Sequence, residues 1–264
     1  MALQSPNITV MVAAARKASR KLKRDFGELE NLQVSKKGPA DFVTTADLTA
    51  EKKIYEELSH ARPGYGFLME EKGVVEGTDP SHRWIIDPLD GTTNFMHAIP
   101  HFAISIALER QGTIVAGVIY NPITDEMYTA ERGGGAYLND KRMRVSARRD
   151  LTQSVIGTGL PFFGMPNHER ELTELKAVMA KTAGVRRFGA ASLDLAYVAA
   201  GRFDGFWEHE LKPWDIAAGV LLVKEAGGFV TDHAGREEVL KTGDVLATNE
   251  GLHQPLRQIL KDAG

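Results

Sequence analysis

Cysteine is absent from the 264-residue sequence, and this absence removes several classes of chemistry. The chain cannot form disulfide bonds, cysteine-ligated zinc or iron–sulfur centres, or a thiol nucleophile. Long hydrophobic runs are also absent, because no apolar segment approaches the roughly 20 residues that span a bilayer. The N-terminus has neither the leading basic region nor the long apolar stretch of a secretory signal. We therefore expect a cytoplasmic protein without a membrane partner, whose metal ions, if any, have oxygen or histidine ligands.

Charge of one sign is not in excess either, since the chain has 32 Lys and Arg residues and 35 Asp and Glu residues. A net charge of −3 gives no global attraction to nucleic acid. Basic residues do crowd one side of an expected helix between Arg16 and Arg24. This pattern is more typical of a solvated helix face than of a nucleic-acid surface. Nucleic-acid binding is therefore disfavoured and stays open only as a second role.

The remaining composition, 43% apolar and 25% charged, is that of a globular protein with one large or two smaller domains. Apolar periodicity predicts a helix from about Ile8 to Leu22 and another from about Asp47 to His60. The rest of the first half is rich in strands, with a hairpin turn at 111–112. The second half alternates helices with short strands at 154–158, 185–188, 205–208, 229–231 and 245–248. We predict a mixed α+β and α/β fold with subdomains at 1–147 and 148–264.

The segment Trp84–Phe95 carries the most informative pattern. An apolar strand leads to Asp87, and Pro88 is expected to end the strand because it lacks an N–H group and has a fixed φ. Asp90 then lies in a turn, so the two carboxylates can converge on one point. The free backbone N–H groups of Gly91–Thr93 suit a phosphate beside a divalent cation. An Asp-rich turn after a strand is a common alternative, but it does not explain a charged group at the end of an apolar run, where burial is costly.

Acidic residues also follow or precede apolar segments elsewhere. Glu70 and Glu71 follow the apolar run 66–69, and Asp215 precedes a helix start made of small residues. On position alone, Asp215 and Asp47 are more typical of helix caps than of catalytic groups. The eight histidines do not cluster along the sequence, so no histidine metal site is predicted.

Four motifs, in this order and spacing, resemble those of the inositol monophosphatase family, the lithium-sensitive, magnesium-dependent phosphatases. The matching strings are Asp41–Asp47, Glu70–Glu71, Trp84–Phe95 and Trp214–Gly219, and the resemblance extends from about Lys36 to Asn249. It implies a layered αβαβα sandwich, a homodimer and a site for two or three Mg²⁺ ions. It also implies hydrolysis of a small phosphorylated sugar alcohol by a metal-activated water, with myo-inositol monophosphate as the favoured substrate.

The resemblance further implies a role for each matching residue. The metal ligands are carboxylates and one backbone carbonyl, those of Glu70, Asp87, Leu89, Asp90 and Asp215. Thr92 and Glu70 orient the attacking water, and Asp47 is hydrogen-bonded near Thr92. The groups that contact the substrate belong to Asp90, Gly91, Thr92, Ala191, Glu208 and Asp215. Lys36 is placed near the metal site and Arg187 near the substrate.

Departures from the family pattern leave the preferred alcohol open. Met69 stands where many members carry a small or polar residue, and Arg187 and Lys212 add positive charge on the substrate side. Fructose 1,6-bisphosphate, histidinol phosphate and a 3′-phosphonucleotide are therefore alternative substrates. The string Gly91–Phe95 favours inositol monophosphate over the last two. A regulatory role in RNA binding or transcription, through the basic first helix, is the alternative from a different functional class.

Overall fold

The computed structural model describes residues 5–28, 34–38, 41–161 and 167–264, with the side chains at 36–38 and 41–42 outside this description. Its helices are α1 (Pro6–Phe26), α2 (Thr45–Ala61), α3 (Thr92–Met96), α4 (His168–Met179), α5 (Ala191–Ala199), α6 (Pro213–Glu225), α7 (Val239–Thr242) and α8 (Glu250–Ala263). Its strands are β1 (Val34–Gly38), β2 (Asp41–Thr44), β3 (Tyr65–Met69), β4 (Gly73–Val75), β5 (Asp79–Asp90), β6 (Ala103–Arg110), β7 (Thr113–Asn121), β8 (Glu126–Glu131), β9 (Gly135–Leu138), β10 (Lys141–Arg142), β11 (Val155–Thr158), β12 (Gly184–Arg186), β13 (Gly205–Glu208), β14 (Phe229–Thr231) and β15 (Val245–Thr248). Within these ranges no helix is both long and apolar enough to cross a membrane.

Two large sheets alternate with three layers of helices. The eight-stranded sheet has the order β10-β9-β8-β7-β6-β5-β3-β4, and the five-stranded sheet has the order β12-β11-β13-β15-β14. Helices α1 and α2 pack on the outer face of the larger sheet, α5 and α6 fill the space between the sheets, and α4 and α8 cover the smaller sheet. Strands β1 and β2 form a separate two-stranded sheet. The predicted mixed fold and the αβαβα sandwich are therefore confirmed.

Alternation along the central strands assigns each sheet face to a different core. On β5, Trp84 and Ile86 are buried against α1 and α2, whereas Ile85 between them is buried against the α5 and α6 layer. On β13, Phe206 faces α5 and α6, and Trp207 faces α4 and α8. Strands with two apolar faces explain why the chain needs helices on both sides of each sheet.

Strand β5 differs from the sequence-based expectation at Pro88. The strand continues to Asp90, and its register with β6 shifts so that Asp87 is opposite Ser105 and Asp90 is opposite Ala103. Three residue steps on β5 thus match two on β6, which is a β-bulge that contains Pro88. In a regular strand, residues three apart point to opposite faces, and the extra residue removes that difference. The expected strand end at Pro88 is wrong, and a bulge brings the two carboxylates together.

The other expected elements differ from the structure mainly at their ends. The two first-half helices correspond to α1 and α2, and the second-half strands correspond to β11, β12, β13, β14 and β15. The predicted hairpin turn is present between β6 and β7, where Gln111 and Gly112 both have positive φ. The short pairs β1–β2 and β9–β10 were not expected. Strand β3 was expected only as an apolar run, although its pairing with β5 positions the site described next.

Candidate metal and active site

Glu70 and Asp87 leave two neighbouring parallel strands at the same sheet edge. Met69 on β3 is opposite Ile86 on β5, and the N–H of Glu70 donates to the carbonyl of Ile86 at 3.1 Å. The carboxyl ends of parallel strands lie at one edge, so the next residues, Glu70 and Asp87, emerge side by side. Met69, the departure from the family pattern, is fully buried in the core with α1 and α2. Its apolar side chain anchors the strand that presents Glu70.

The bulge after Asp87 is closed by its own side chain. Asp87 Oδ1 accepts the N–H of Leu89 at 2.9 Å, which fixes the turn that leads to Asp90. Gly91 follows with φ of 93°, a left-handed conformation that favours glycine. A Cβ at Gly91 would also lie 3.1 Å from the carbonyl oxygen of His101. Both the backbone conformation and the close approach therefore require glycine where α3 begins.

Thr92 and Asp47 form a buried pair beside this turn. Thr92 Oγ1 lies 3.1 Å from Asp47 Oδ1 and 3.0 Å from the carbonyl oxygen of Leu89. Asp47 is fully buried, and its Oδ2 accepts the N–H of Thr44 at 2.8 Å in a capping box at the start of α2. Burial raises the pKa of Asp47, although the hydrogen bonds from Thr44 and Thr92 oppose this change. Asp47 is thus a helix cap, as its position suggested, and it also fixes the Thr92 hydroxyl.

Asp215 reaches the same place from the first turn of α6. Its Oδ2 accepts the N–H of Lys212 at 2.7 Å, so this residue also caps its helix. Ser105 Oγ donates to the carbonyl of Trp214 at 3.3 Å, and Ser105 is the residue opposite Asp87 on β6. This contact holds the start of α6 against the strand pair that carries Asp87. Asp215 can therefore cap α6 and also lie in the acidic cluster.

Asp90 connects the strand edge to the start of α5. Its Oδ2 accepts the N–H of Ser192 at 2.8 Å and the hydroxyl of Ser192 at 2.5 Å, and the backbone of Ala191 also hydrogen-bonds to Asp90. Ala191 is buried at the beginning of this helix. Ser192 was missed by sequence reasoning because its partner lies far away in the chain. The contact joins residues of the two halves at one site.

The acidic residues at this edge repel one another. Burial, followed by the charges of Glu70, Asp90 and Asp215, raises the pKa of Asp87 well above its usual value. Burial and then the charge of Asp90 raise the pKa of Asp215 well above its usual value. Burial raises the pKa of Asp90 to about 6, even though Ser192 hydrogen-bonds to it. Buried carboxylates in mutual repulsion fit a site for a hard divalent cation, whose charge would offset theirs.

Glu208, which the sequence predicted as a substrate-binding residue, lies at the end of β13. Burial raises the pKa of Glu208 to about 8, while the positive charge of the exposed Arg187 opposes the increase. A Cβ on Gly159 would lie 1.9 Å from the Glu208 carboxyl carbon, so the side chain is packed directly on this glycine. Sequence reasoning missed the contact between Gly159 and Glu208, which lie about fifty residues apart in the chain.

Asp194 is a buried carboxylate that sequence reasoning missed. It lies within α5, is 1% exposed, and its Oδ1 has no hydrogen-bond partner among the described residues. Burial, followed by the charges of Glu208 and Asp90, raises the pKa of Asp194 well above its usual value. An aspartate inside the apolar helix 191–199 was the available signal. Lys36 lies on β1, and its side chain is outside the described residues.

The expectation that the histidines do not cluster is wrong in three dimensions. The rings of His209 and His233 lie 4.0 Å apart between centroids. Ligand atoms of both residues and of Glu174 lie within 4.8 Å of one another. The three residues are widely separated in sequence, so spacing along the chain could not reveal the group.

The fold and the site define an αβαβα protein with a carboxylate site suited to divalent cations. The chain belongs to the inositol monophosphatase family, because the family model matches residues 3–263. It is 62% identical over 258 residues to a protein of Mesorhizobium japonicum named inositol-1-monophosphatase, with 98% of this chain and 97% of the relative covered. It is 45% identical to the Nus factor SuhB of Pseudomonas aeruginosa, with 92% of each chain covered.

A solved structure shares this fold closely. The crystal structure of the extragenic suppressor protein suhB from Bartonella henselae matches with a TM-score of 0.96 and 60% sequence identity. The match covers 98% of this chain and 100% of that chain.

Proposed function

We propose that the protein hydrolyses phosphate monoesters of small sugar alcohols in a Mg²⁺-dependent reaction, with myo-inositol monophosphate as the favoured substrate. The convergence of Glu70, Asp87, Asp90 and Asp215 at one sheet edge carries this proposal. The name of the Mesorhizobium japonicum relative, inositol-1-monophosphatase, supports the choice of substrate.

The acidic cluster supplies the oxygen donors that Mg²⁺ prefers. The ligands in this proposal are the four carboxylates and the backbone carbonyl of Leu89, which also lies within reach of the Thr92 hydroxyl. When bound, two or three Mg²⁺ ions would offset the charge of a phosphate dianion and lower the pKa of a coordinated water. Mutual repulsion among the carboxylates supports this assignment, because a cation would relieve it.

Thr92 positions the attacking water together with Glu70. The Asp47 carboxylate and the Leu89 carbonyl both only accept hydrogen bonds, so the Thr92 hydroxyl donates its single proton toward this pair and keeps its lone pairs free. Those lone pairs and the Glu70 carboxylate accept the two protons of the water and direct its oxygen toward phosphorus. The backbone N–H groups of Gly91 and Thr92 donate to the phosphate oxygens, in the conformation that Gly91 allows.

Glu208 and Ala191 contact the sugar alcohol in this proposal. The Glu208 carboxylate accepts hydrogen bonds from substrate hydroxyls, and the exposed Arg187 adds positive charge nearby. A role for Lys36 near the metal ions, as the family resemblance implies, belongs to the same proposal. We also propose subdomains at 1–147 and 148–264, with Glu208 and Asp215 contributed by the second. Homodimer formation, a cytoplasmic location and lithium inhibition belong to the same proposal.

A substrate panel with Mg²⁺ tests the proposed specificity. Phosphate release is measured with inositol 1-phosphate, fructose 1,6-bisphosphate, histidinol phosphate and a 3′-phosphonucleotide at equal concentration. We expect the highest kcat/KM with inositol 1-phosphate, and no phosphate release from any ester without a divalent cation. A preference for any of the other three esters would move the protein to another substrate class and contradict the choice made here.

RNA binding is a second candidate function, favoured by a basic groove. Lys17, Arg20, Lys21, Arg24 and Lys53 line one surface groove between α1 and α2, and the Pseudomonas aeruginosa relative is named a Nus factor. Filter binding to a structured RNA at two salt concentrations tests this role, because phosphate contacts release counterions and give a steep salt dependence. Binding without a salt slope, or no binding at low salt, contradicts it.

A further inference from the structure

We propose that Glu174, His209 and His233 form a second metal site, of the Zn²⁺ class, separate from the carboxylate cluster. Glu174 lies on α4, His209 directly follows β13, and His233 follows β14. Candidate ligand atoms from the three residues lie within 4.8 Å of one another. Glu174 and His209 are buried, and His233 is partly buried.

His209 is oriented as a metal-ligating histidine. Its Nδ1 lies 3.2 Å from Asp244 Oδ1, and its Nε2 lies 2.8 Å from Glu174 Oε2. With a metal ion bound at Nε2, Nδ1–H would still donate to Asp244; without a metal ion, both ring nitrogens carry protons and donate to the two carboxylates. Two acceptors at 2.8 Å require a proton or a metal ion between them. The arrangement of a carboxylate, a histidine and a metal is common in zinc proteins.

His233 has one ring nitrogen without a hydrogen-bond partner among the described residues. Its Nε2 lies 3.2 Å from the carbonyl oxygen of Val245, which only accepts, so Nε2 carries the proton. The lone pair is therefore on Nδ1, and this buried atom has no hydrogen-bond partner among the described residues. An unpaired buried acceptor is costly. A metal ion at Nδ1 would satisfy it, and this observation is independent of the His209 contacts.

Glu174 completes the set of three ligands. Its Oε1 accepts from Arg170 Nε at 3.1 Å, and its Oε2, which lies 2.8 Å from His209 Nε2, would bind the metal in place of that contact. Each of the three ligands thus has an outer partner that fixes its orientation, as metal ligands do. Tetrahedral sites with bonds of about 2.0 Å place ligand atoms about 3.3 Å apart, so side-chain adjustments suffice. Two imidazoles and one carboxylate favour Zn²⁺ or Co²⁺ over Mg²⁺, and water would fill the fourth position.

Such an ion would cross-link α4 to the loops after β13 and β14. His209 directly follows Glu208, and the chain then continues to Asp215 at the start of α6. The site therefore constrains the segment that connects a proposed substrate-binding residue with a proposed Mg²⁺ ligand. The competing arrangement is a protonated His209 held between Glu174 and Asp244 without metal.

Metal titration of the full-length protein separates these arrangements. Chelator-treated protein in excess Mg²⁺ is titrated with Co²⁺, whose visible absorption reports tetrahedral coordination, and with Zn²⁺ by calorimetry. We expect the wild type to bind one Co²⁺ or Zn²⁺ ion per chain. In His233→Gln, the affinity for either ion should be lower by about a hundredfold or more. This substitution keeps a donor for the Val245 carbonyl but removes the Nδ1 lone pair. The exposed-histidine control His60→Gln and the cluster variant Asp87→Asn should retain wild-type affinity.

The proposal is overturned if His233→Gln binds Co²⁺ and Zn²⁺ as tightly as the wild type does. It is also overturned if Asp87→Asn loses this binding, or if the wild type does not bind either ion. Anomalous diffraction at the zinc edge, from wild-type crystals soaked in Zn²⁺, tests it without any variant. The expected peak lies among Glu174, His209 and His233. No peak at that position contradicts the assignment, whether or not a peak occurs at the carboxylate cluster.

Discussion

Replacing Asp90 with asparagine should stabilise the metal-free protein while it abolishes phosphatase activity. Asparagine keeps an oxygen that can accept from Ser192 and removes the negative charge. The folded state disfavours that charge, because burial raises the pKa of Asp90 from 3.8 to about 6. The perturbation therefore removes an unfavourable charge from the fold and a proposed ligand from the site.

The size of this effect follows from the difference in pKa. A folded-state pKa of about 6, against 3.8 in the unfolded chain, corresponds to at most about 3 kcal/mol at pH 7. For a chain of this size, that free energy raises the melting temperature by about 5 °C. Because the folded-state pKa is the higher one, the cost is fully present above pH 6 and disappears as the pH falls toward 3.8. The extra stability of Asp90→Asn over the wild type should disappear over the same pH range.

Thermal unfolding in a chelator, with and without added Mg²⁺, measures the effect. Mg²⁺ should stabilise the wild type more than Asp90→Asn, because ligand binding to the folded state adds stability. Asp232→Asn is the matched control: Asp232 is buried but accepts hydrogen bonds from Arg236, which lower its pKa against the effect of burial, so the same substitution should destabilise the protein. If Asp90→Asn melts at or below the wild-type temperature in chelator, the proposed cost of burying the Asp90 charge is refuted.

Three further perturbations test other parts of the account. Thr92→Val should lower kcat about a hundredfold with little change in KM, because the hydroxyl beside Asp47 is the group proposed to orient the water. Unchanged kcat in a phosphate-release assay contradicts that role. Gly159→Ala should raise KM for inositol 1-phosphate more than for an aryl phosphate, since the new Cβ displaces Glu208; equal changes for both esters argue against substrate contact by Glu208. Burial lowers the pKa of His101 to about 4, so protonation of the unfolded chain costs about 2 kcal/mol of stability at pH 5 relative to pH 7. His101→Phe should remove this loss in urea unfolding, and an unaltered pH dependence would contradict the assignment.

Local patterns were sufficient to predict elements and motifs, whereas contacts across the fold required coordinates. Continuous apolar runs at β5 and β13 predicted buried strands, because a strand covered on both faces has apolar residues at successive positions. The parallel pairing of β3 with β5, which aligns Glu70 with Asp87, could not be predicted, since nothing in either strand specifies its neighbour. The bulge at Pro88 was missed because the proline itself suggested a strand end.

Partners that are distant in sequence were missed for the same reason. Ser192 contacts Asp90 across about a hundred residues of chain. The group of His209 and His233 with Glu174 forms only when β13 and β14 are brought beside α4. Spacing within one segment carries no information on such contacts. The motifs were sufficient to predict which acidic residues form the site. They did not predict the distant residues that hydrogen-bond to them, such as Ser192.

Phosphate release from inositol 1-phosphate by Asp87→Asn is the most direct test of the central claim, that the carboxylate cluster is the Mg²⁺-dependent catalytic site. The assay compares the wild type, Asp87→Asn and the exposed-residue control Asp262→Asn across a Mg²⁺ titration, with circular dichroism to establish that each is folded. We predict Mg²⁺-dependent turnover in the wild type and the control, and almost none in folded Asp87→Asn at any Mg²⁺ concentration. Wild-type turnover by Asp87→Asn would contradict it.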